Sequence, residues 1–443
     1  MSQRISIWLV CASLVIGGGA QASDTPTASR QLRMSNKADA VTATTLVTLD
    51  AAIARALDNA PQIQSAAAAE AASKGELEQA GVWPNPELAV EAENFGTGVP
   101  YRGFDAAEVT YGLAQRLELG GKRSAREEVA RQGHIIAGIL QEVARLDLIR
   151  DVTIAYADAV AAREAVRLAE KQRTVAADVL ANVSERVNAA AEPEFQKSKS
   201  QVALATAEVA LDKTRRDEIV TRRRLAALWG DTAGDYRLDT GWFFAITEPE
   251  DVTPDNVSAS LPDLARWDAE LARSEAQLAL ETANAIPDPT LSAGVRDFRG
   301  TGEQAFLIGV SLPLPVFDSN QGNIARARND VTRTASDKRL VTITWRAMLL
   351  QAGQELANAY RQAQNLKRRI IPAAQKAYAL SLEGYRAGKF AYLDVLDAQR
   401  TLVDVQAQHI ETLRSFHAKR AEMERLTAVH CPAPARQEPD HAR

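Results

Sequence analysis

Large aromatic side chains are scarce: Phe, Tyr and Trp make up 5% of the 443 residues, although 46% of the chain is hydrophobic. The apolar content is therefore mostly small, alanine above all, the best helix former and a residue that lets helices approach closely. Cysteine is nearly absent, with two in the chain, Cys11 and Cys431. Cys11 falls in the leading apolar stretch, so the processed chain keeps Cys431 alone and has no internal disulfide. Five histidines and four methionines are too few for a soft-metal relay. His409 and His417 share one helix, and no metal site is expected from them. Beyond the leader no stretch offers the roughly 18 apolar residues of a transmembrane helix, so any membrane passage must be made by strands. The net charge is −5, or −6 once Arg4 is removed, which argues against a nucleic-acid partner. No nucleophile, base or cofactor loop assembles a reaction centre, so neither an enzyme nor a cofactor is expected.

What is present begins with a signal peptide over residues 1–22: Arg4, the apolar run Ile5 to Ile16, and the small-residue site Ala20-Gln21-Ala22. Residues 23–47 are polar and aperiodic and read as a flexible N-terminal segment. From there the chain says the same thing twice. Pro84-Asn85-Pro86 and Pro287-Asp288-Pro289 each stop a helix and open a pair of alternating strands.

In the first repeat (48–229) a helix is expected from Leu49 to Ala80 with Thr48 as N-cap, and strands at about 87–95 and 106–119. A long helix follows over about 122–187, which at 1.5 Å per residue is ~100 Å. A return helix runs to about Trp229, and residues 230–257 are irregular. The second repeat (258–428) has a helix to about Ala285 and strands at about 290–298 and 304–314. Its long helix covers about 321–385 with a kink at Pro372, and its return helix runs from Tyr392. A polar tail, 429–443, reads as disordered.

The strands alternate apolar with charged residues: Val109, Tyr111 and Leu113 against Glu108, Thr110 and Arg116, and Phe306, Ile308 and Val310 on the last strand. Four strands cannot close a barrel, and an open edge in lipid leaves backbone groups unsatisfied, so other copies must cover it. Two, three or four chains would give 8, 12 or 16 strands. The helices are charged throughout and must project into water, which for an exported protein with lipid-facing strands means the periplasm beneath a bacterial outer membrane. Trp83 at the helix-to-strand corner fits an interfacial anchor.

These residues resemble the TolC-type outer-membrane efflux factors, and within them the heavy-metal branch related to cobalt-zinc-cadmium resistance. The resemblance spans about Leu49 to Ala428. It is carried by Trp83-Pro-Asn-Pro-Glu-Leu, Gln115-Arg-Leu-Glu-Leu-Gly-Gly-Lys-Arg, Leu312-Pro-Leu-Pro-Val-Phe-Asp and Ala387-Gly-Lys-Phe-Ala-Tyr-Leu-Asp-Val-Leu-Asp. It implies a mixed α/β membrane protein: a long α-helical barrel, and four strands contributed to a 12-stranded outer-membrane β-barrel in a homotrimer. The implied role is the exit duct of a tripartite proton-driven pump, with a periplasmic adaptor (membrane fusion protein) and an inner-membrane resistance-nodulation-division transporter as partners. A multidrug or type I secretion channel of the same fold is the alternative, and a periplasmic coiled-coil protein the second.

By the same resemblance Asp394, Asp397 and Tyr385 form the periplasmic gate. Adaptor-docking tips fall at Asn188, Ala190 and Ala191 and at Ala387, Gly388 and Lys389. Helix-strand corners lie at Trp83, Pro84 and Pro86, at Pro287 and Pro289, and at Pro313 and Pro315. The sequence departs from the family where a glycine is usual, at Ala190 and Ala191, and where the basic gate partner is Phe390 with Lys389 beside it.

Overall fold

The computed structural model describes residues 46–99, 101–231, 236–254 and 261–429. The signal peptide and the tail from Cys431 lie outside the described residues. The first half runs β1 (Leu46–Val47), α1 (Leu49–Asn59), α2 (Pro61–Ala80), β2 (Glu87–Glu93), β3 (Glu108–Arg116), α3 (Lys122–Asn188) and α4 (Glu194–Ala227). A short connection holds β4 (Arg237–Leu238) and α5 (Gly241–Phe244). The second half runs α6 (Pro262–Asn284), β5 (Thr290–Phe298), β6 (Glu303–Ser311), α7 (Gln321–Asn365), a π-helical turn (Leu366–Ile370), α8 (Ile371–Arg386) and α9 (Tyr392–Thr427).

β2, β3, β5 and β6 form one antiparallel sheet in that order. The register puts Leu88 opposite Leu113, Leu113 opposite Ala293 and Ala293 opposite Ile308. Val90, Tyr111, Val295 and Phe306 form the next row. One face is thus apolar from edge to edge, and it is bare: Phe306 is 88% exposed and Ile308 89%. The opposite face carries Glu87, Glu91 and Glu93 on β2, Glu108 and Arg116 on β3, with Arg296 and Glu303 on the second hairpin. Among the described residues the outward edges of β2 and β6 have no strand beside them.

The helices extend the same row. α2 packs on α3, α3 on α6 and α6 on α7; farther along, α4 and α9 flank α3. The main buried cluster among the described residues lies where α1, α3, α4, α5 and α9 meet, around Leu148, Val152, Tyr156, Leu225, Phe243 and Leu413. Tyr156 Oη sits 2.9 Å from the Val47 carbonyl and 2.8 Å from that of Asp239, the two chains that pair as β1 and β4.

Several expectations are corrected. The helix expected over Leu49–Ala80 is two helices: Pro61 has no N–H for the next turn and its ring holds Ala60 extended at ψ 126. Thr48 does cap the first, accepting from Ala51 N at 3.3 Å. The segment read as flexible to residue 47 ends in β1, because Val47 is fully buried beside β4. The irregular stretch from 230 contains β4 and α5, held by burial of Phe243 rather than by any periodicity. β2 and β3 stop short of 95 and 119, and β6 ends at Ser311 because Pro313 cannot donate to a ladder. At Pro372 the long helix does not simply bend; a π-helical turn precedes the proline and re-spaces the hydrogen bonds that it cannot make.

Candidate functional site

At the end of the helices farthest from the sheet, two turns have the same backbone. Ala190 N donates to Val187 O at 2.9 Å and Ala191 N to Arg186 O at 2.8 Å; Gly388 N donates to Tyr385 O at 2.9 Å and Lys389 N to Gly384 O at 2.8 Å. Both are Schellman closures, in which the residue after the cap turns left-handed so that the last carbonyls find donors. Gly388 does so at φ 69, and Ala190 does so at φ 55 despite its Cβ. Asn188 and Ala387 are the last turns' own residues, and Ala191 and Lys389 are exposed beyond them.

The two turns touch. Tyr385 Oη donates to Glu192 Oε1 at 3.2 Å, and Arg186 pairs with the same oxygen at 3.4 Å while its guanidinium lies 5.1 Å from the centre of the Tyr385 ring. The Tyr385 and Tyr392 rings are 5.8 Å apart, and Ser200 Oγ donates to Tyr392 Oη at 3.2 Å. Burial, and then the Glu192 charge, push the Tyr385 hydroxyl above its ordinary range, so it is a hydrogen donor at any physiological pH. Tyr385 thus belongs to a network that sequence spacing does not reveal: Glu192 lies 193 residues away.

Asp394 and Asp397 are exposed on one face of the first turns of α9. Asp394 has a local task, because its Oδ2 accepts from Ala391 N at 3.0 Å and satisfies an amide at the helix start. Among the described residues Lys389 forms no ion pair with either aspartate. Phe390 lies over Gly384. No group of His, Cys, Asp and Glu that could hold a metal ion occurs among the described residues. His417 is instead a core residue: its Nε2 is 2.9 Å from Phe243 O and its ring 3.8 Å from that of Trp242.

The corners knit the two halves together. Trp83 is 53% exposed, with the Arg123 guanidinium 4.7 Å from its ring centre. Pro84 O accepts from Gln115 Nε2 at 2.9 Å, and Pro289 O from Leu117 N at 2.9 Å. Lys122 Nζ reaches both Asp288, at 2.6 Å, and Ile286 O. Gly120, at φ 70, passes so near Ile286 that a Cβ would meet its side chain at 2.6 Å. Arg126 binds Glu118 through two bonds of 2.8 and 3.1 Å, and those bonds hold the Glu118 carboxyl below its usual range. Lys122, Arg126, Glu118 and Asp288 were not foreseen as corner residues; their signal was the charged pair set around Leu119-Gly-Gly-Lys. Pro86 and Pro287 flank the strand starts, while Pro313 and Pro315 lie in an exposed run after β6 with Val316 and Phe317.

Comparison with known proteins matches residues 52–231 and 253–429 to the family described as outer membrane efflux protein. The cobalt-zinc-cadmium resistance protein CzcC of Cupriavidus metallidurans is 30% identical over 86% of this chain and 90% of that relative. The nickel-cobalt-cadmium resistance protein NccC of Alcaligenes xylosoxydans xylosoxydans is 28% identical over 65% of each. In fold the chain is similar to the CmeC outer membrane channel of Campylobacter jejuni, with a TM-score of 0.74 at 14% identity, covering 86% of this chain and 85% of that one.

Proposed function

Because the chain belongs to the outer membrane efflux protein family, we propose that it is the outer-membrane exit duct of a pump that expels heavy-metal cations. The protein resides in the outer membrane with its helices in the periplasm. The observation that carries the duct reading is the sheet: an apolar face bare from edge to edge, a charged face behind it, and two strand edges open. In hydrocarbon those edges must be paired, and only closure with further copies pairs them all while putting charge inside and apolar side chains toward lipid. Three copies make 12 strands and a homotrimer with a water-filled lumen. Trp83 then anchors the corner at the membrane surface. The similarity to CzcC over nearly its whole length favours cobalt, zinc or cadmium as cargo.

In this reading the helical tips are the periplasmic entrance. The turns at Asn188, Ala190 and Ala191 and at Ala387, Gly388 and Lys389 receive a periplasmic adaptor, which couples the duct to an inner-membrane resistance-nodulation-division transporter. Tyr385, Asp394 and Asp397 form the gate. Around a threefold axis the two aspartates of each chain become an acidic ring of the kind that draws cations. The duct does no uphill work and needs no cofactor. Deleting the gene tests the cargo: cells lacking it become sensitive to zinc, cobalt, cadmium, copper or silver, and unchanged tolerance to all of them overturns the metal reading. Conductance of the purified protein in planar bilayers tests the duct itself.

A further inference from the structure

The charged face of the sheet holds one arginine that does more than balance a charge. Arg296, on β5, donates from Nε to Thr110 Oγ1 at 2.9 Å, from Nη1 to Glu108 Oε2 at 3.0 Å, and pairs through Nη2 with Glu93 Oε2 at 3.3 Å. Three strands meet at this one guanidinium. The register explains why something must stand there: Glu93 and Glu108 are directly opposite each other in the ladder, and like charges so placed repel. Asn94 adds a bond to Glu108 at 2.8 Å. The cluster lies at the ends of β2 and β3 that lead into hairpin loops, away from the helices, and hence at the outer mouth of the duct.

Two carboxylates side by side on neighbouring strands of a lumen wall are the kind of oxygen pair that holds a hard or borderline divalent cation. A duct gains nothing from such a site at its exit, since conduction requires sites weak enough to leave. The guanidinium occupies both carboxylates, is never deprotonated in a protein, and matches their geometry with its fork of donors. Building on the duct reading above, we propose that Arg296 sets the ion selectivity of the outer mouth: it is the fixed counter-charge that keeps Glu93 and Glu108 from capturing a hydrated divalent cation in transit.

The test uses the full-length protein in planar bilayers at low ionic strength, about 0.01 M, where the screening length is roughly 30 Å and lumen charges are felt. Zinc or cobalt chloride is added on the hairpin-loop side. Arg296→Gln raises the cation-to-anion permeability ratio several-fold over wild type and makes the channel blockable by metal at several-fold lower concentration. Adding Glu93→Gln and Glu108→Gln to that variant abolishes both changes. Arg296→Lys keeps the charge while losing the fork, and stays close to wild type in selectivity. Wild-type reversal potential and wild-type metal block in Arg296→Gln overturn the proposal, as does an Arg296→Lys channel that behaves like Arg296→Gln, which would mark a merely structural role. A wild-type protein without conductance overturns the duct reading, and this inference with it; a conducting wild type with an indifferent Arg296→Gln overturns this inference alone.

Discussion

The ring of Phe390 lies over Gly384, so close that a Cβ on the glycine would collide with it. In the other half the matching positions, 198 residues earlier, hold Glu192 and Arg186, which form an ion pair at 3.4 Å. One turn is thus packed by an aromatic ring and the other by charges, on the same backbone. The charged turn turns its carboxylate toward Tyr385 and so helps to join the two tips.

Ala190 is where that shared backbone is under strain. A left-handed alanine costs roughly 1–2 kcal/mol against glycine's freedom, offset in part by glycine's greater unfolded-state entropy. Ala190→Gly is expected to slow amide exchange at Ala190 and Ala191 and to stabilise the tip by about 1 kcal/mol. Gly388→Ala should speed exchange at Gly388 and Lys389 by a similar factor. Equal exchange in all three proteins would show that the turn tolerates a Cβ freely.

Asp394 makes a capping bond to Ala391 N and, in the proposed duct, carries a gate charge, and one substitution can separate the two. Asp394→Ala removes both the gate charge and the bond to Ala391 N, and the lost bond alone costs about 1 kcal/mol of helix stability. Asp394→Asn keeps an acceptor at that amide and removes the charge. With Asp397→Asn it is expected to weaken block by multivalent cations from the tip side while leaving thermal stability near wild type. Undiminished block in this double variant would place the cation-attracting ring elsewhere.

His417 makes the midsection sensitive to acid. Burial, above all, lowers its pKa from 6.5 to about 4, and among the described residues no hydrogen-bond partner reaches its Nδ1. The folded state therefore takes up its proton later than the unfolded chain does. Its contribution is complete above about pH 6.5 and is lost as pH falls toward about 4, a range worth on the order of 3 kcal/mol. Wild type should lose thermal stability across this window, and His417→Phe should flatten the curve there. Parallel curves for the two proteins would exclude the histidine.

Arg425 closes the midsection from another side, bonded to Asp147 at 2.7 Å and bidentate to Asp263. Its side chain is 11% exposed, but the two aspartates are about a third open to water and can rehydrate. Arg425→Ala is therefore expected to cost about 2 kcal/mol, less than the 3–5 kcal/mol typical of a fully buried pair. Denaturation in detergent measures it, and a change below 0.5 kcal/mol would show the triad to be idle.

Local pattern determined the parts of this protein. Alternation at Val109 to Leu113 and at Phe306 to Val310, and proline-free apolar spacing from Lys122, follow from side-chain geometry within a few residues, so strands, long helices and a half-molecule stated twice are legible without coordinates. Tertiary structure decided what those parts meet. Val47 beneath Asp239, Glu192 against Tyr385, Asp263 on Arg425 and Glu93 on Arg296 join residues that composition and periodicity treat as unrelated, because each pairing depends on where a long helix or a ladder register ends in space. Pro61 and Pro372 show the boundary between the two: both are visible as proline, yet one ends a helix and the other is absorbed by a π-helical turn.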